Sequence, residues 1–180
     1  ISLSFVSVID PLFTLPVMAL VILAAMRKKR RFAVAALLWA CVYLGAGMLQ
    51  RNAAMEMGET LAASRGHTPM RLDAKPSFAN ILIWKTIYES DGQFFVDAVR
   101  ATFVPRVFFG ASVQKLNIER DFPGLDPNSQ QRRDIARFDW FSDGFLAQDP
   151  FNPDRIVDVR YSMVPNEIDA LWSIGVSASA

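Results

Sequence analysis

Between Pro11 and Gln50 the chain carries no acidic residue, and its only charges there are five consecutive cations, Arg27, Lys28, Lys29, Arg30 and Arg31. Apolar runs flank this cluster: PLFTLPVMALVILAAM from Pro11 to Met26, and FAVAALLWACVYLGAGM from Phe32 to Met48. Each is close to the roughly 17–25 apolar residues a helix needs to cross the ~30 Å hydrocarbon layer of a bilayer. Extending the first back through Phe5 to Ile9 lengthens it at the cost of admitting Asp10. A helix pair in the core of a globular protein is the alternative, but such helices keep a polar face and neither run has one. The expectation is therefore a membrane α-helical hairpin, with transmembrane helices over residues 5–26 and 32–50 and a basic loop at 27–31. The lipid bilayer is its first partner.

A cluster of five cations between two apolar helices is retained on the cytoplasmic side. The first helix then runs inward and the second outward, so the remainder of the chain emerges outside the bacterial inner (cytoplasmic) membrane. Gly45, Ala46 and Gly47 give the second helix a small-residue surface for close helix contact. Two helices make a thin bundle, and the start at Ile1, without Met, predicts a piece of a longer protein whose N-terminal membrane helices are missing. Asp10 and Pro11 admit two readings. Pro11 suits the first helical turn and Asp10 the N-cap before it. Alternatively Asp10 faces a polar site in a larger bundle, as a metal ligand or general base. Pro16, one turn further on, is expected to kink the helix.

From Arg51 to Ala180 there are 14 basic and 17 acidic residues, so the second part is mildly acidic. That balance argues against a nucleic-acid partner, which would require basic residues on the folded domain. The single cysteine, Cys41, excludes an intrachain disulfide. Residues 51–180 read as a soluble extracytoplasmic α+β domain with a mainly antiparallel sheet. RNAAMEMGETLAASR, from Arg51 to Arg65, continues the second helix as an amphipathic segment with Met55, Leu61 and Ala62 on one face, and Gly66 ends it. Met70 to Lys75 suits a first strand. ILIWKTIYES and QFFVDAVRAT, joined by Asp91-Gly92, form a hairpin on a type I′ turn. The stretch from Phe103 to Gln114 is expected in the core, or else at a bilayer surface. A short helix from Ser129 to Trp140 should bring Ile135, Phe138 and Phe141 together. Strands from Arg155 to Met163 and Ala170 to Ser177 complete four or five strands with two helices.

Chemistry is sparse. His67, the only histidine, sits in a Gly-flanked turn with no G-x-S-x-G elsewhere, which reads as a surface residue. One His and one Cys cannot supply a nitrogen- or sulfur-rich zinc site. There is no phosphate-binding glycine loop, EF-hand loop or C-x-x-C. Asp139, Asp143 and Asp149 read as solvated loop acids.

IDPLFTLP, from Ile9 to Pro16, followed by a short basic loop and a second apolar helix, resembles the C-terminal half of the membrane-bound metal-dependent hydrolase family, which includes the LexA-regulated inner-membrane hydrolases. Asn80 and Trp84 in NILIW, the Asp-Gly hairpin, Trp140-Phe141-Ser142 with Gly144-Phe145, and the segment holding Asp158 and Arg160 extend the resemblance along the chain. It implies an intact parent that hydrolyses an unknown substrate with water activated by a divalent metal such as zinc. In that family the metal ligands lie mostly in N-terminal His- and Asp-bearing segments, so no metal site is expected from this chain alone. RGHTP around His67 is not the family's His-Arg-Gly-x-Thr-His type of motif. Asp10 is the one position carried over, as a metal ligand or as an acid orienting one. The competing expectation is a non-catalytic, membrane-anchored module that binds an envelope protein, lipid or polymer.

Overall fold

The structure, a computed structural model, describes residues 7, 9–78, 81–102 and 104–177. Helix α1 (Pro11–Arg27) begins as the N-cap reading requires: Asp10 is extended, its Oδ1 accepts from the Phe13 backbone N–H, and Pro11 occupies the first turn. The cap sets the helix start at Pro11, later than residue 5. Ser7 and Ile9 are not helical, and residues 5, 6 and 8 lie outside the described residues. Lys28, in the left-handed region at φ 49°, turns the chain into α2 (Arg30–Ser64). This is one unbroken helix of 35 residues. It is long and apolar enough to cross a membrane: its most apolar window has a mean hydropathy of 2.0, with only 17% of that window buried. A core helix of a globular domain would be mostly buried. The 17-residue α1 is apolar but shorter. Gly45 and Gly47 do not share a surface, since Gly47 is buried and Gly45 exposed.

Beyond α2 lies an α+β region of two antiparallel sheets. The first contains β1 (Arg71–Pro76), β2 (Ile83–Ser90), β3 (Gln93–Arg100), β4 (Arg106–Phe108) and β5 (Ser112–Gln114), with β4 and β5 pairing two successive portions of β3. The β2–β3 hairpin forms at the expected place. Asp91 and Gly92, at φ 50° and 71°, make the turn, and Ser90 pairs with Gln93. After the short α3 (Ile118–Asp121) and α4 (Gln130–Phe141), the second sheet comprises β6 (Leu146–Gln148), β7 (Arg155–Asp158) and β8 (Ser173–Gly175).

Side-chain alternation stacks these elements as helix, sheet, sheet, helix. The C-terminal half of α2 covers one face of the first sheet, where Ala54, Ala74, Trp84 and Val99 share a buried cluster. Gly58 permits the close approach, because a Cβ there would lie 3.1 Å from Leu72 Cδ1. The opposite face, with Ile87, Phe94 and Val96, packs on Phe145, Ala147, Val157 and Val159 of the second sheet and its flanks. Leu146 and Ile156 point the other way, onto Ile135 of α4. Burying about 25 cal/mol per Å² of apolar surface in such layers is the main force holding them.

Further sequence expectations change in the α+β region. The segment 104–114 is edge rather than core: Pro105 and Gly110 interrupt it, β4 and β5 are three residues each, and Val104 and Phe109 are 66% and 69% exposed. Phe103 lies outside the described residues. Phe141 is exposed, because it falls about 120° around α4 from Ile135 while Phe138 stays beside it. The last two strands are shorter than 155–163 and 170–177. The three-residue β6, which makes them a separate sheet, has too few residues for a period-2 pattern.

Candidate functional site: a buried polar cluster behind the first sheet

β1 and β2 place Lys75 and Lys85 directly opposite each other in register. Both are almost fully buried, at 1% and 3% exposure. Opposed like charges destabilise a sheet, and burial of a charge is costly without partners. The surroundings supply them. Asp73 Oδ2 lies 3.0 Å from Lys75 Nζ, and Asp73 Oδ1 accepts from Arg51 at 2.9 Å. Lys85 Nζ donates to Ser162 Oγ and to the Glu167 carbonyl, each at 2.8 Å. Ser162 Oγ in turn donates to the Val164 carbonyl at 2.6 Å. Burial drives the Lys85 amine down to about 7, opposed by the nearby Asp158 and Glu167 carboxylates.

Behind this pair, Asp158, with no exposed surface, takes a forked contact from Arg160, Nε to Oδ1 at 2.9 Å and Nη2 to Oδ2 at 2.7 Å. The same guanidinium donates to the Phe141 carbonyl at 3.0 Å, so it links α4 to β7. A lysine with a lowered pKa beside a serine hydroxyl is one chemical basis of nucleophilic catalysis. Here the hydroxyl is directed at Val164, Ser162 is only 9% exposed, and the amine also holds Glu167. The arrangement closes the 162–167 turn onto the first sheet. Sequence reasoning missed it because Lys85 and Ser162 are 77 residues apart; a lysine inside the apolar IWKTIY was the available signal.

The residues singled out from sequence fall elsewhere. Asp10 is 2% exposed and both its oxygens are engaged, Oδ1 at the cap and Oδ2 accepting from the Tyr43 hydroxyl at 2.8 Å. Each oxygen accepts one hydrogen bond in this arrangement, and a carboxylate oxygen carries a second lone pair. Among the described residues no three His, Cys, Asp or Glu side chains converge, so they do not by themselves fit a metal. Asn80 lies outside the described residues. His67 is half-buried rather than a free surface residue: its Nδ1 is 2.9 Å from the Tyr88 hydroxyl and its ring packs 4.5 Å from that of Phe95. Tyr88 also accepts from Arg65, which clamps Asp97 at 2.7 and 2.8 Å. His67 thus belongs to the fastening of the α2 C-terminus. Asp139 and Asp143 are exposed, as expected, but Asp149 is buried and accepts from the Phe151 N–H at 2.9 Å.

No protein-family model, curated protein or solved structure matches the chain.

Proposed function

We propose that the chain is a membrane-anchored module. α1 and the first half of α2 lie in a bacterial inner membrane, the basic turn faces the cytoplasm, and the α+β sandwich is held against the outer face. The observation behind this reading is the course of α2. Val34, Leu37, Leu38, Val42, Leu44, Met48 and Leu49 are exposed along its first half, while Ala54, Gly58, Leu61 and Ala62 are buried in its second. From Arg31 to Leu49 the helix rises about 27 Å at 1.5 Å per residue, close to the hydrocarbon thickness. Water would leave that apolar surface unburied. The test uses a Cys41→Ser background with cysteine introduced at Lys29 or Asn128, expressed in bacterial cells. A membrane-impermeant maleimide should label position 128 once the outer membrane is permeabilised, and position 29 only after lysis. Labelling of position 29 in intact cells, or release of the protein by alkaline carbonate, would reject the reading.

A narrower proposal follows the family resemblance: an intact parent that is a metal-dependent hydrolase, with this module beside its metal site. Asp10, nearly fully buried at the edge of α1, is what favours it. On this reading the Tyr43 hydroxyl would orient the Asp10 carboxylate through its hydrogen bond to Oδ2. Zinc content and hydrolysis by the full-length parent and its Asp10→Ala and Tyr43→Phe variants test the point. Unchanged metal binding in Asp10→Ala removes Asp10 from the site.

A further inference from the structure

The end of the first sheet nearest α1 sits beside the apolar half of α2, not beyond it. Ile81, Trp84 and Val99 share one packed cluster with Tyr43, and Phe13, Trp39 and Ala46 pack against that cluster. Gln50 Nε2 donates to Thr102 Oγ1 at 3.0 Å, which ties the chain just past β3 to α2 one residue beyond Leu49, at the outer boundary of the apolar half. Tyr43 lies about 9 Å along the helix before Leu49, one of the outward apolar residues of α2. A sheet end that packs at that height is at lipid depth whenever α2 spans from Arg31.

The exposed surface of this end has the matching chemistry. Phe78, Leu82 and Val104 are 45%, 44% and 66% exposed on the two chain segments that flank it. One step above, Arg100 and Arg106 are directly opposed across β3 and β4. Opposed like charges cost stability unless an anion lies between them. Arg100 Nε donates to the Val104 carbonyl at 3.0 Å and the Arg106 guanidinium lies 5.1 Å from the Phe108 ring centre, and no carboxylate forms an ion pair with either among the described residues. Guanidinium forks match phosphate oxygens, and apolar side chains just below a cationic pair are the pattern of an interfacial lipid contact.

We infer that this end of the sheet is seated in the outer leaflet, with Phe78, Leu82 and Val104 among the acyl chains and Arg100 and Arg106 on lipid phosphates. The occupant is the phospholipid surface that surrounds the anchor. The inference rests on the membrane-anchored reading and adds a second, sheet-borne contact with the bilayer that fixes the orientation of the sandwich.

The experiment uses the full chain, Cys41→Ser, reconstituted in vesicles of phosphatidylcholine with phosphatidylglycerol. A fluorophore is attached at Leu38→Cys, Leu82→Cys, Val104→Cys or Asn128→Cys, and quenching by spin-labelled lipids is read. Labels at 38, 82 and 104 should be quenched at least twofold more than the label at 128. Quenching at 38 with none at 82 or 104 overturns the inference and spares the anchor. No quenching at 38 overturns both. Arg100→Gln with Arg106→Gln should cut quenching at 104 at least twofold; unchanged quenching removes the phosphate contact.

Discussion

The Tyr43 hydroxyl of α2 donates to Asp10 Oδ2 at 2.8 Å, while Asp10 Oδ1 caps α1 through the Phe13 N–H at 3.1 Å. One carboxylate thereby starts the first helix and pins it to the second, supported by the Phe13 and Tyr43 rings at 5.6 Å. Loss of an N-cap costs about 1 kcal/mol, and a hydrogen bond to a charged group contributes about 1.5–3 kcal/mol. Tyr43→Phe should therefore lower stability by about 1–2 kcal/mol, and Asp10→Ala by more. Denaturation in detergent micelles measures both. A double-mutant cycle should give a coupling of at least about 0.5 kcal/mol; additivity would mean the pair does not hold the helices together.

Lys85 makes stability depend on pH in an uncommon direction. Its amine ionises near 7 in the folded protein but at about 10.5 when exposed. Between those values the unfolded chain binds more protons than the folded one, so this group's contribution rises with pH from 7 to 10.5 and is lost as pH falls toward 7. The slope approaches one proton, about 1.4 kcal/mol per pH unit. Lys85→Met should remove that slope as well as lowering the baseline, since Ser162 and the Glu167 carbonyl lose their donor. Urea midpoints from pH 6.5 to 10 distinguish the two effects. Parallel curves for the two proteins would show that Lys85 does not titrate there.

Glu89 should govern the acid side. Burial works to raise its carboxyl, but hydrogen bonds from Lys115 and Arg71, both at 2.7 Å, outweigh this and hold it below the usual range. A carboxylate depressed in the folded state contributes stability above about pH 4.5 that is lost as pH falls through its folded value. Glu89→Gln should flatten that acid limb and be destabilising at pH 7. Arg71 also donates to the Asp143 and Gly144 carbonyls and lies 3.9 Å from the Phe145 ring centre. Arg71→Ala should thus loosen the α4–β6 turn as well, seen as faster amide exchange at 143–146. Unaltered exchange there would separate Arg71 from the second sheet.

How much of this was legible in the sequence depended on range. Asp10-Pro11, Asp91-Gly92 and Arg65-Gly66 act within a few residues, and each marks a helix start, a turn or a helix end where expected. The apolar surface of α2 was legible because it is a property of one helix. Of the second sheet, β7 and β8 fall within the expected strands 155–163 and 170–177, but β6 was not legible, since three residues are too few for an alternation to show. The buried cluster was hidden for a related reason. Lys85 next to Trp84 looks like an ordinary polar position on a strand, and only the distant Ser162 and Glu167 show what it does.

Gly110 and Gly58 provide a matched contrast between backbone and side-chain crowding. A Cβ on Gly110 would overlap the Asn166 and Val96 carbonyl oxygens, which are backbone atoms rather than flexible side-chain ends, and the Gly110 N–H donates to Asp97 Oδ1 at 3.0 Å. A Cβ on Gly58 would meet Leu72 Cδ1 at 3.1 Å and Thr86 at 3.4 Å, side-chain atoms that can yield by a few tenths of an ångström. In mid-helix, Ala also gains about 1 kcal/mol over Gly in propensity. Gly58→Ala should therefore fall within about 1 kcal/mol of the parent, whereas Gly110→Ala should cost more than about 3 kcal/mol, the upper range of overpacking. Gly110→Ala should also release Asp97, and with it the Arg65 clamp on the α2 C-terminus. Faster amide exchange at 65–67 in that variant is the accompanying signature, and equal stability of the two variants would refute the close approach at Gly110.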